Sequence, residues 1–160
     1  LADTPFTPDG AEANGSSIAV LAEFAGKRVL LGADAHAPLL LESIQEVIRQ
    51  KDVQEGQVFV TAGSLQECTF HYVTSTDAKP KDVFKTVKGP YEILNAGGII
   101  AGGEPHIHIS IAREGQAATG GHLEKGCKVL YLGELTILKY EALPLTRKPN
   151  AHGVGILQAK

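Results

Sequence analysis

At 160 residues, 43% of them hydrophobic and 21% charged, the chain has the size and composition of one folded domain with a single core, not of a disordered tail. A formal net charge of −3 and an isoelectric point near 6.1 give no long-range attraction to nucleic acid or to an anionic membrane surface. The longest apolar runs, 37–41 and 129–132, fall far short of a bilayer span, and no charged segment followed by an apolar one opens the sequence, so neither a membrane helix nor a signal peptide is expected.

Residues 1–17 are rich in Pro, Gly, Asp and Ser and predict a flexible lead-in. Two β-like runs follow, 18–24 and 28–31, joined by Ala25, Gly26 and Lys27. Gly26 can supply the positive φ that a short hairpin loop demands, so 18–33 is expected to form a β-hairpin extension. The main domain then occupies 34–160. Over 38–50 the period changes: Leu40, Ile44, Val47 and Ile48 recur at helical spacing, with Glu42, Gln45, Glu46, Arg49 and Gln50 on the other face. Pro38 suits the first turn, where its missing amide is no loss, and Asp34 suits a helix start.

Beyond this single amphipathic helix the pattern is one of strands and turns. Residues 58–61 and 68–74 are β-branched and aromatic, separated by the turn-like Ala62, Gly63, Ser64 and Leu65, and 75–80 form a polar loop. Residues 91–94 precede Ala96, Gly97 and Gly98, and 101–104 look like a hairpin connection into a strand at 105–112. In that strand His106, His108 and Ser110 face one way and Ile107, Ile109 and Ile111 the other. Residues 127–140 form the longest strand candidate, and the tail after Pro144 looks irregular. Repeated hairpins around one helix predict an α+β fold dominated by antiparallel sheet.

Two cysteines, Cys68 and Cys127, are too few for a disulfide framework; each lies in an apolar run, as small buried thiols do, which suits a reducing, cytoplasmic setting. The strongest chemical signal is Pro105-His106-Ile107-His108 together with Gly120-Gly121-His122-Leu123. Imidazoles at i and i+2 of a strand project from one face about 6–7 Å apart, a workable bite for a cation. A hairpin could fold His122 back over the same face, and the two glycines would permit close backbone approach. Three histidines with an open fourth position describe a zinc site that keeps water or substrate. The plainer alternative is a set of hydrogen-bonded histidines on a sheet face. Glu104, Glu124 and Glu134 are candidate supporting carboxylates, and Glu134, set in an apolar strand, stands out among them. Lys79, Lys81, Lys85 and Lys88 form the densest basic run, expected to be a solvated loop. Ser64 follows a glycine but lacks the surroundings of a hydrolase nucleophile.

In order and spacing, Gly89-Pro90-Tyr91-Glu92-Ile93-Leu94, Gly98, Pro105-His106-Ile107-His108-Ile109, Gly120-Gly121-His122-Leu123 and Gly126-Cys127 resemble the PPC (plants and prokaryotes conserved) domain. The helix at 40–44, the segments 62–65 and 69–72, and the later 134–137 and 145–147 fit the same pattern, so the resemblance spans about 34–160. It implies a compact α+β domain assembled as a homotrimer, a DNA-binding or regulatory role, and zinc on His106, His108 and His122. No Arg-Gly-Arg-Pro AT-hook is present, which makes any DNA contact weak or indirect. Separately, residues 14–36 resemble a strand pair of the metallo-β-lactamase fold, although the H-x-H-x-D-H ligand motif is absent. That segment is expected to be a structural fragment whose run 28–31 becomes the first strand of the main sheet, with Asp34 no ligand.

The sequence therefore points to a trimeric PPC-like binding protein with a metal-capable three-histidine site, self-associating, without a membrane partner and open to a small molecule. The alternative is a zinc-dependent enzyme, a hydrolase or lyase acting on a small-molecule substrate, in which the ion would acidify a bound water.

Overall fold

The single helix among the described residues, α1 (Leu40–Gln50), buries Leu40, Leu41, Ile44 and Ile48 along one stripe, as its periodicity predicts. The computed structural model describes residues 18–24, 27–33 and 39–160. The lead-in 1–17, Gly26 of the hairpin loop, Asp34 and Pro38 lie outside them. No side chain caps α1; instead the amide of Leu40 donates to the Cys127 carbonyl at 2.8 Å. The Glu42 carboxylate accepts from the Gly126 amide at 3.2 Å, which ties the helix to the turn before its neighbouring strand. Arg49 in the last turn complements the helix dipole, and Asp52, at φ 47°, turns the chain into the sheet.

Among the described residues there are nine strands. β1 (Ile18–Phe24) and β2 (Lys27–Ala33) form the expected hairpin, and β2 pairs onward with β7 (Lys128–Lys139). The two longest are β3 (Glu55–Val73) and β4 (Asp82–Ala101), paired antiparallel from Glu55 opposite Ala101 to Val73 opposite Asp82. β5 (Glu104–Ala112) and β6 (Thr119–Leu123) complete a sheet of order β1-β2-β7-β3-β4-β5-β6, and a further β3–β6 pairing closes β3, β4, β5 and β6 into a barrel. Closure removes the free edge that β6 would otherwise present. The fold is α+β, mostly antiparallel sheet with one helix.

Three expectations fail for one reason, the pull of neighbouring strands. Residues 62–65 are no turn: β3 runs through them because β4 and β7 pair on either side, and the misfit is absorbed as register shifts between Val60 and Ala62 and between Gly63 and Leu65. Gly97 and Gly98 likewise stay inside β4, where Gly98 faces β5 so closely that a Cβ would lie 1.8 Å from the His106 carbonyl oxygen. β4 also begins earlier than expected, so Lys85 and Lys88 sit on a strand and not in a loop, Lys88 reaching Glu67 at 3.7 Å. The tail is not irregular either. β8 (Leu145–Pro149) and β9 (Gly155–Ala159) form a hairpin whose tip is held by Asn150, its side-chain oxygen accepting the amides of His152 and Val154 at 2.9 and 3.0 Å. The Lys160 ammonium fastens its end to Glu55 at 2.6 Å.

Inside the barrel and under α1 lie Ile107, Ile109 and Ile111 with Phe70, Leu65 and Leu123, each burial contributing about 1.5–3 kcal/mol. Cys68 and Cys127 are buried free thiols 3.7 Å apart, and their mutual hydrogen bond and burial push the Cys68 thiol up.

Candidate metal centre

The inward isoleucines of β5 force His106 and His108 onto the barrel's outer face. Register brings the other rings to them. His108 stands opposite His122 on β6, and His122 stands opposite His71 on β3. Residues directly opposite in a ladder share a face, so four imidazoles from three strands meet there. Ring centroids are 4.4 Å apart for His106 and His122, 5.5 Å for His108 and His122, and 4.7 Å for His71 and His122.

β6 fits between β3 and β5 only because of its glycines. A Cβ on Gly121 would fall 2.2 Å from the His71 carbonyl oxygen, and one on Gly120 1.9 Å from that of Ile109. His122 is carried into the centre of the cluster by this close approach.

Nitrogen atoms of His106, His108 and His122 lie within 4.8 Å of one another, the spacing of ligands around one small ion. A second set, His71, His122 and Glu124, satisfies the same limit and shares His122. Within it His71 Nδ1 and Glu124 Oε1 are 2.6 Å apart. His122 Nδ1 is buried and meets no hydrogen-bond partner among the described residues. Burial, reinforced by the neighbouring rings of His106 and His71, lowers the His122 pKa to about 4 against a partial opposing pull from Glu124. Burial, then the charge of Arg147 and the adjacent imidazoles, lowers that of His106. Both rings are thereby kept neutral, the state in which imidazole donates a lone pair.

The cluster forms the floor of an open cavity of about 850 Å³. It is lined as well by Lys79, Pro80 and Asp82 and by the β8–β9 tip, 151–154.

The structure brings together the three histidines singled out in the sequence and adds two residues that sequence reasoning missed or misjudged. Glu124, not Glu134, is the carboxylate beside the rings: Glu134 is exposed on β7 opposite Ala62, far along β3 from His71. Glu104 is exposed at the start of β5. His71 carried only the weak signal of a titratable side chain on the outward alternation of a strand whose Cys68 and Phe70 point inward. Ser64 is buried within β3.

Residues 35–141 match the Plants and Prokaryotes Conserved (PCC) domain, the PPC domain under its other abbreviation. Among solved structures, the fold is similar to that of a metal-containing protein from Archaeoglobus fulgidus (TM-score 0.71, 18% identity, covering 89% of this chain and 98% of that one). It is also similar to a plant- and prokaryote-conserved protein from Pyrococcus horikoshii (0.68, 20%, 89% and 96%). A third similar structure is a candidate DNA-binding protein from Bacteroides thetaiotaomicron (0.72, 19%, 88% and 96%). The bifunctional protein GlmU of Synechococcus sp. (strain JA-3-3Ab) is 26% identical over 123 residues, 77% of this chain; the chain spans only 18% of that relative's length. The resemblance of 14–36 to the metallo-β-lactamase fold finds no support: β1 and β2 extend the same sheet through β7, and the similar structures include that of a plant- and prokaryote-conserved protein.

Proposed function

The chain belongs to the Plants and Prokaryotes Conserved (PCC) domain family, and from that premise we propose that it is a trimeric binding protein holding one divalent ion, zinc by donor chemistry, on His106, His108 and His122. The observation that carries this reading is His122 Nδ1, a buried nitrogen without a hydrogen-bond partner among the described residues, on a ring kept neutral by its surroundings. A buried polar atom left unpaired costs about 1–3 kcal/mol, and a cation between the three rings would offset that. Zinc there would supply Lewis acidity and an acidified water; His71, fixed by Glu124, would stand beside it as a proton acceptor or donor.

A DNA-linked or regulatory role is supported by the Bacteroides relative's description, and the net charge of −3 limits any duplex contact to a weak, salt-sensitive one. Elemental analysis tests the metal: about one zinc per chain is expected in the purified protein, and none in the His106→Ala/His108→Ala double variant. Unchanged zinc in that variant would rule the site out.

A second reading, a zinc-dependent hydrolase or lyase, is favoured by the open cavity beside the rings, which His71 lines, and by the Glu124 carboxylate held against His71 Nδ1. Zinc-dependent turnover that collapses in Glu124→Gln while zinc content holds would decide for it.

A further inference from the structure

His71 and Glu124 lie outside the three-histidine set, yet with His122 they form a second group of three donors within 4.8 Å of one another. The backbone that presents them is fixed by pairing. His71 stands opposite His122 in the β3–β6 ladder, and the Glu124 amide donates to the Thr69 carbonyl at 3.0 Å, which carries that ladder one step past β6. Both side chains are partly buried. The 2.6 Å contact between His71 Nδ1 and Glu124 Oε1 engages one nitrogen and one oxygen. Each group keeps a second atom with a lone pair to offer, and the carboxylate holds the His71 ring in one orientation, as carboxylates do for metal-binding imidazoles. His71 and His122 also line the cavity of about 850 Å³, which gives an ion a path from solvent and room for water in its remaining positions.

The two donor sets differ in chemistry. Three imidazoles suit zinc. Two imidazoles with one carboxylate are a mixed nitrogen–oxygen set of the kind that holds non-haem iron(II), and carboxylate oxygen also suits manganese(II). We propose that His71, His122 and Glu124 form a second ion position, for Fe(II) or Mn(II), whose occupation excludes the zinc of the three-histidine position. The exclusion follows from His122, which belongs to both sets: a neutral imidazole has one lone pair to give, so it serves one ion at a time. The chain holds either zinc on His106, His108 and His122 or the oxygen-preferring ion on His71, His122 and Glu124, and metal supply decides between them. The exclusion rests on the three-histidine reading; the second position stands without it.

The test uses the full chain, stripped of metal with a chelator and titrated with Mn2+, the free ion being followed by electron paramagnetic resonance. Saturable binding of a single manganese per chain is expected. Affinity should fall about tenfold or more in Glu124→Gln and in His71→Gln, and should persist in His106→Ala/His108→Ala. Stoichiometric zinc should displace the manganese from the wild-type chain, whereas the double variant should need a large excess. Wild-type zinc content in Glu124→Gln shows that the variant is folded, and far-UV circular dichroism shows it independently of zinc. No manganese binding by the stripped chain, binding that is lost with His106 and His108 but kept without Glu124, or manganese and zinc bound together would overturn the proposal. Glu124-dependent manganese binding in a chain that takes up no zinc would refute the three-histidine site and uphold this one.

Discussion

His122 concentrates the demands of the site on one residue. Its ring is pressed between His71, His106 and His108, and its pKa of about 4 lies below the ordinary 6.5. The unfolded chain therefore takes up a proton that the folded ring refuses, and acid favours unfolding. The contribution to stability is fully present above about pH 6.5 and is lost as pH falls toward about 4, with His106 acting in the same direction. Urea midpoints of the metal-free protein should fall between pH 7 and pH 5, and the slope should flatten in His122→Asn. Equal midpoints at both pH values would contradict the assignment. Zinc, if bound, should leave over the same interval, since each imidazole must stay unprotonated to coordinate. The candidate ligands were legible in the sequence because H-x-H on a strand and a glycine-flanked third histidine are local signals. His71 and Glu124 were not, because the contact that joins them spans 53 residues and depends on β3 pairing with β6.

At the scale of elements, α1 was readable from periodicity alone, since its buried stripe is set by 3.6 residues per turn. Ile44 lies fully buried at its centre against the sheet. Replacing Ile44 with Ala should destabilise the domain by about 2–5 kcal/mol, the cost of lost burial plus a cavity, measurable as a lowered urea midpoint with the slope unchanged. A loss below about 1 kcal/mol would mean that the helix is not packed as described. The strands were harder to delimit. Glycine and small residues at 62–65 and 96–98 carry turn propensity, yet they lie in the long strands β3 and β4, where partners on both sides satisfy the backbone and the missing side chains admit a close neighbour. The β8–β9 hairpin escaped notice because its strands are short and largely exposed, so no alternation of burial marks them.

At the scale of the whole molecule, the barrel leaves apolar side chains in water. Val73, Val83, Phe84 and Leu94 are all exposed, Phe84 to 65%, on the arms of β3 and β4. Exposed apolar side chains of this size favour association, and closed association of identical copies would cover them. Light scattering at micromolar concentration should give a mass near three times 16.9 kDa; a value near one chain mass would overturn the trimer. Charge makes the second forecast: with 18 acidic against 15 basic residues, duplex DNA should bind with no better than micromolar affinity, falling steeply with added salt. Submicromolar binding at physiological salt would show a basic face that the composition does not suggest.

By itself the sequence determined the α+β class, the one helix, the buried cysteines and the three histidines, because each is written in the spacing of neighbouring residues. Only the tertiary structure decided that β3 and β4 run unbroken, that Glu124 and His71 complete the histidine cluster and that the C-terminal hairpin walls its cavity. These depend on pairings between residues distant in the chain, and strand register, unlike periodicity, is set by the partner across the sheet.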